Sequence, residues 1–281
     1  ADALLQYNKT WEDTYSLSVT AGGSYTKTKG SNVSLIGYGD TQFAINNGVI
    51  TSGAYYPNKF IPSNYYRLST GMSLKEKRLN SVFATAQFGY KEGLYVDVSA
   101  RNDWSSALAF TEGVSFFYPS VGASALLNRF IDFGKNVDLF KFRASYSIVG
   151  NDVPIYASNV LYTIGDQGSL VPPSEAPFRT LKPEKTNSLE VGFDGTFFQN
   201  RFDVNVTYYK TNTKNQFFKV SAPYESGVKT RYVNAGNIEN QGFEVSLGWR
   251  QQFTDNFSWS TNYNFSYNNN KVIELVDGLA D

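Results

Sequence analysis

Between Lys185 and Lys271 large side chains recur at every second position. Leu189, Val191, Phe193, Gly195 and Phe197 alternate with Glu190, Gly192, Asp194 and Thr196. After Gln199-Asn200 the pattern resumes as Phe202, Val204, Val206 and Tyr208 against Asp203, Asn205 and Thr207. It returns as Phe243, Val245, Leu247 and Trp249, then as Trp259, Thr261, Tyr263, Phe265 and Tyr267. Successive side chains of a strand point to opposite faces, so this alternation predicts strands with one apolar and one small or polar face. Each run lasts about ten residues, the length a tilted strand needs to cross a bilayer. Apolar outside and polar inside is the pattern of a transmembrane β-barrel with a wet lumen.

Composition narrows the alternatives. The 281 residues are 41% hydrophobic with a mean hydropathy of −0.35, and no apolar run reaches the length of a membrane-spanning helix. Aromatics make up 16%, as 20 Tyr, 22 Phe and 4 Trp, residues suited to the girdles at two membrane interfaces. With 25 basic and 25 acidic residues the chain has no net charge, so no nucleic-acid-binding field is expected. The absence of Cys and His excludes disulfides, Cys/His zinc sites and any triad built on His. No cofactor and no metal site is expected. The chain starts at Ala1 without a signal peptide, and is expected to be a piece of a longer protein.

Ten strands can be placed, at about 3–9, 15–25, 74–90, 94–101, 118–127, 140–148, 189–197, 202–208, 243–249 and 258–267. The expected connections alternate between tight turns, such as Lys91-Glu92-Gly93, and longer loops: Thr26–Ser73, Asp103–Phe116, Gly150–Glu184 and Thr211–Gly236. That alternation puts the tight turns at one rim and the long loops at the other, as in bacterial outer-membrane barrels.

Candidate chemistry follows from the faces. Asp97, Glu190, Asp194, Asp203 and Glu244 are expected to face the lumen beside Lys141, Arg143, Arg201 and Arg250. Two carboxyls at close range would serve a glycosidase, but basic neighbours on the same face favour ion ladders in a polar wall, and the chain is not expected to be an enzyme. Arg101, Asn102, Asp103 and Trp104 lie where a strand leaves the membrane toward the long-loop rim. A Trp that stacks and polar groups that hydrogen-bond make them candidate substrate contacts; the alternative is a girdle Trp beside solvated polar residues. The loop pairs Tyr55-Tyr56, Tyr65-Tyr66 and Phe217-Phe218 are candidate contacts for a protein that covers the mouth, or pack within their own loops.

Several runs resemble one family. They are Leu181-Lys182-Pro183-Glu184-Lys185-Thr186, Ser188-Leu189-Glu190-Val191-Gly192, Tyr208-Tyr209-Lys210-Thr211-Asn212 and Asn234-Ala235-Gly236-Asn237-Ile238-Glu239-Asn240-Gln241-Gly242-Phe243. With Ser99-Ala100-Arg101-Asn102-Asp103 and Tyr118-Pro119-Ser120-Val121-Gly122, they resemble the SusC/RagA family of TonB-dependent outer-membrane transporters. The resemblance implies an all-β chain that forms an arc of about ten antiparallel strands from a barrel of roughly 22 strands closed by an N-terminal plug. Residues 1–281 are then one partial barrel domain without a plug, with further strands expected after Asp281. It further implies a place in the Gram-negative outer membrane, surrounded by its lipid, and import of oligosaccharides or peptides. Such import would be energised by the TonB complex through the absent N-terminal region, with a SusD-like lipoprotein as a surface lid. A structural or secretion-machinery barrel, or a passive porin, is the alternative.

Overall fold

The computed structural model describes residues 1–38, 43–46, 49–53, 67–109, 111, 113–159, 162–164, 169–177 and 182–274. The wall is built from β1 (Asp2–Trp11), β2 (Tyr15–Tyr38), β5 (Arg67–Tyr90), β6 (Leu94–Ser105), β7 (Ser115–Leu126) and β8 (Val137–Asn151). It continues with β12 (Glu184–Phe197), β13 (Phe202–Ser221), β14 (Thr230–Thr254) and β15 (Phe257–Glu274). These elements pair in that order, each antiparallel to the next. Shorter strands decorate the long-loop rim: β3 (Phe43–Asn46), β4 (Val49–Gly53), β9 (Thr163–Ile164), β10 (Leu170–Val171) and β11 (Glu175–Ala176). Among the described residues β1 pairs only with β2 and β15 only with β14, so the sheet is an open arc. Among the described residues no helix is long and apolar enough to cross a membrane.

The register sorts the outward face of β12–β15 into rows. Phe193, Val206, Val245 and Phe265 lie side by side, followed by Val191, Tyr208, Phe243 and Tyr267. The next row is Leu189, Lys210, Gln241 and Asn269, then Asn187, Asn212, Glu239 and Lys271. Beyond it Lys185 stands opposite Lys214. The outward face therefore turns from apolar to polar just past Tyr208 and Tyr267, which marks the outer edge of the lipid-facing band. At the short-turn rim Phe202 packs against Phe197 and Trp249, each pair with centroids 6.2 Å apart. Tyr15 packs on Tyr90 at 5.2 Å, so an aromatic girdle borders that edge too. The tight turns carry positive φ at Glu12-Asp13 and Lys91-Glu92, the backbone twist that joins right-twisted strands without splaying them.

The inward face is polar and lies flat. Arg143 donates to Thr207 Oγ1 at 2.6 Å and lies 3.5 Å from Asp194, which also accepts from Asn205. Lys141 approaches Asp194 at 3.9 Å, and Arg250 lies 3.7 Å from Asp203. Two of the five expected lumenal carboxylates thus form ion ladders. Among the described residues Asp97 meets only the Gln87 amide at 2.7 Å, while Glu190 and Glu244 pair with no cation. The Arg143 guanidinium lies directly over Gly192, where a Cβ would come within 2.6 Å of it. Tyr209 covers Gly242 in the same way, its hydroxyl 2.7 Å from where a Cβ would sit. Glycine here lets a long side chain run along the wall.

Three expected loops are shorter than the sequence suggests. β2 runs to Tyr38 and β5 starts at Arg67, leaving less of Thr26–Ser73 as connection. Asp103–Ser105 belong to β6, with Asp103 opposite Phe116. Most of Thr211–Gly236 is strand, since β13 reaches Ser221 and β14 starts at Thr230. The cause is that a ladder continues wherever two backbones stay paired. Beyond the bilayer both faces meet water, so no alternation is needed to sustain it. One break interrupts the extended hairpin: Asn215 (φ 58°) and Gly236 (φ 78°) face each other without pairing, both left-handed.

Candidate functional site

A wall with lipid on one face and water on the other has no interior of its own. Among the described residues the buried apolar side chains are Ala107, Leu108, Phe116, Val153, Ala157 and Ala235, and the first five form one cluster. Tyr118, Phe217 and Tyr232 pack against it. The cluster sits at the long-loop rim. Its strand members share a face with the lumen: Phe116 is opposite Asp103, on the same side of the ladder as Arg101 and Ser99. The connections therefore fold inward and roof the edge of the lumen.

Polar anchors fix this roof. Ser105 accepts from Ala107 N at 3.2 Å, which caps the 3₁₀ turn Ser106–Leu108, and donates to Asp152 at 2.6 Å. Asp152 also holds Lys77 of β5 at 2.5 Å and accepts from Val153 N at 2.7 Å. Ser158 donates to the Ala109 carbonyl at 2.9 Å, and Tyr156 accepts from Glu76 N at 3.3 Å. On the other flank Asn234 exchanges bonds of 2.7 and 2.8 Å with the Lys182 backbone and donates to Asn215 O at 2.9 Å. Ser174 O accepts from Lys229 N, and β11 pairs in parallel with β14 at Thr230–Arg231. Lys219 pairs with Glu175, and that hydrogen bond raises the lysine's pKa.

Between the two flanks lies a cleft of about 280 Å³. Tyr156, Ala157, Pro172, Pro173, Glu175 and Tyr232 are among the residues that line it. Rings and prolines supply flat apolar walls, and Glu175, Ser174 and Asn159 supply polar groups, the mixture found in sites for small polar solutes. A second recess of about 250 Å³ lies in the lumenal wall between Asp97, Arg143, Glu190 and Gly192.

The tetrad expected from sequence divides between faces. Arg101 and Asp103 are lumenal and paired at 2.7 Å, Asp103 is buried, and Arg101 also donates to Ser81 at 2.9 Å. Asn102 lies opposite Val82 and Phe117, and Trp104 opposite Asn80 and Ser115. Both are on the lipid side of the ladder, Trp104 exposed there. The period-two rule already separates alternate members of this run. Tyr55, Tyr56, Tyr65 and Tyr66 lie outside the described residues. Phe217 packs on the mouth cluster and Phe218 is partly exposed. Sequence reasoning missed Leu108, Asp152 and Val153. They come from short irregular segments without periodicity.

On the outer side of the same rim, Glu76 meets Lys27 at 3.0 Å, Arg78 at 2.8 Å and Lys29 at 3.6 Å. Hydrogen bonds from Lys27 and Arg78 hold its carboxyl down at about 2.

Residues 1–279 match the family model described as TonB dependent receptor-like, beta-barrel. TonB-dependent receptor P3 of Formosa agariphila is 30% identical over 98% of this chain, which spans 27% of that relative. TonB-dependent receptor SusC of Bacteroides thetaiotaomicron is 28% identical over 46% of this chain and 14% of its own length. The solved structure of the RagAB peptide transporter superposes with a TM-score of 0.81 at 23% identity, covering 99% of this chain and 30% of that one. The chain thus spans about a quarter of the length of the curated relative P3.

Proposed function

This chain belongs to the TonB-dependent receptor-like β-barrel family, and we propose that it is wall and mouth of an active importer of the SusC/RagA type in the Gram-negative outer membrane. The observation that carries the reading is the inward-folded roof. The buried apolar cluster and a cleft of solute size both lie on the lumenal side of the long-loop rim. A passive porin keeps its mouth wet and open. Here apolar volume is spent on narrowing it, which suits a protein that holds its solute before moving it.

The solute class is oligosaccharide or peptide. Arg101 and Asp103, on the lumenal side of β6, are the proposed substrate contacts; Asn102 and Trp104 lie on the lipid side and suit the girdle instead. The cleft between Tyr156 and Tyr232 extends them toward the surface. A SusD-like lipoprotein closes the mouth, with Tyr55, Tyr56, Tyr65, Tyr66, Phe217 and Phe218 as its proposed contacts. The almost fully exposed Tyr224 on the same rim supports such a partner, because a solvated loop gains nothing from a bare ring. Energy comes from the TonB complex through a region N-terminal to this chain.

The test uses the full-length protein in its own outer membrane. Residues 48–64 or 166–176 are deleted, insertion is confirmed by heat-modifiability, and the lipoprotein is sought in a pull-down alongside uptake of labelled oligosaccharide and peptide pools. Loss of lid recovery and of uptake is expected for at least one deletion. Uptake that survives removal of TonB makes the barrel a porin. No uptake of either pool, with the lid still bound, moves it to surface machinery.

A further inference from the structure

We infer that the outward face of β12–β15, just beyond the lipid-facing band, binds the phosphate-bearing head group of an outer-leaflet glycolipid. The rows described above place four lysines there: Lys185, Lys210, Lys214 and Lys271. Two carboxylates share these rows: Glu239 is taken by Lys210 at 3.0 Å, and Glu274 ends the row of Lys185 and Lys214, beyond Asn237. Lys185 and Lys214 stand directly opposite each other, both exposed, and no carboxylate among the described residues pairs with either. Like charges directly opposite on a ladder destabilise it. An anion seated between them removes that cost and replaces it with charge-assisted hydrogen bonds.

Height argues for a lipid as the source of that anion. Each row is two residues, roughly 5 Å of height at the tilt of a barrel strand. The first lysine row lies one step above Tyr208, where the apolar face ends. The charges therefore occupy the layer in which head groups sit, continuous with the surface that touches acyl chains. Asn187 and Asn212 stand between the lysine rows, and Asn212 already donates to Asn237 at 2.6 Å, so amides are at hand for the hydroxyls of a sugar-based head group. The arrangement recurs at the other end of the arc. There Lys27 and Arg78 lie opposite each other one row beyond Tyr25, with Lys29 next in line and Glu76 as the one carboxylate among them. A basic cluster beside the lipid-facing band is the electrostatic footprint of an anionic membrane surface.

The experiment uses the full-length protein in detergent. Binding of diphosphoryl lipid A, of the same lipid after dephosphorylation, and of inorganic phosphate is followed by native mass spectrometry. The parent protein is expected to retain the phosphorylated lipid selectively. The triple variant Lys185→Gln/Lys214→Gln/Lys271→Gln is expected to bind it about 100-fold more weakly, the effect of removing three basic residues from an anionic surface. Its affinity for the dephosphorylated lipid should not change, and Lys219→Gln, on the lumenal side, should leave both intact. Equal binding by parent and triple variant overturns the site. Competition by inorganic phosphate at equal affinity overturns the lipid as its ligand. The thermal midpoint without lipid separates a structural role: it should hold or rise when the opposed charges are removed, and a fall would make the lysines supports of the ladder instead.

Discussion

An arginine at position 245 should distinguish the two faces of this wall by a measurable energy. Val245 sits in an outward row between Val206 and Phe265, and its chain neighbour Ser246 sits inward between Asn205 and Asn264. On β14 the outward positions turn polar at Gln241 and again at Gln251. That interval of ten residues is about 34 Å of strand at ~3.4 Å per residue, or about 25 Å of bilayer at a tilt near 45°. Position 245 is then within a residue or two of the midplane, too deep for an arginine to reach either interface fully. Val245→Arg should therefore cost about 3 kcal/mol, from the range of ~2–4 for a basic residue at mid-bilayer. Ser246→Arg, pointing into water, should cost less than about 1 kcal/mol. The full-length protein in lipid vesicles would be titrated with guanidinium and scored by heat-modifiable mobility. Equal costs, or a larger cost at 246, would refute the face assignment, since a one-residue slip in register exchanges the two.

Three further outcomes are expected. Cysteines at Val191, Val204, Val245 and Tyr263 should resist a water-soluble thiol reagent, whereas those at Glu190, Asn205, Ser246 and Asn264 should label; the two sets behaving alike in mass spectra would rule out the barrel faces. Leu108→Ala should destabilise the roof by about 2–5 kcal/mol, as for a fully buried leucine. It should speed proteolysis within 152–159 while the wall keeps its heat-modifiable band, and an unchanged cleavage rate would mean the cluster does not hold that segment. Glu76, held at about 2 by Lys27 and Arg78 against an ordinary 4.5, has a depressed folded-state pKa. Its contribution is therefore complete above about pH 4.5 and is lost as pH falls toward 2. Amide protection factors in the outer part of β2 and β5, corrected for the intrinsic slowing of exchange in acid, should hold at pH 5 and fall as pH drops from about 4.5 toward 2, and in Glu76→Gln this pH step should vanish.

The parts of the fold legible in the sequence are those that the bilayer forces to alternate. Leu94, Val96 and Val98 on β6, or Phe243, Val245 and Leu247 on β14, announce their face because lipid covers it. The extensions of β13 and β14 carry Thr211, Lys214, Asn234 and Asn237, which meet water on either side, so they read as loop although their backbones pair. The mouth was legible only in part. Arg101 and Asp103 could be placed on one face by counting in twos, but the burial of Asp103 depends on a roof drawn from 106–109 and 152–159. That roof is made by contacts between distant segments, among them the Asp152 carboxylate bridging Ser105 and Lys77. No local pattern encodes such a meeting.

The confinement of buried apolar volume to the mouth bears on how the rest of the wall tolerates change. In a packed interior each side chain is fitted against several others, and enlarging one requires another to shrink. Positions such as Val98, Val121 and Phe142 face fluid acyl chains, which reshape themselves around whatever projects into them. Exchange among apolar residues there needs no compensating partner. Leu108 and Phe116 have no such freedom. A library randomised along the outward rows should thus return many working sequences, while the same library at the roof should return few and correlated ones.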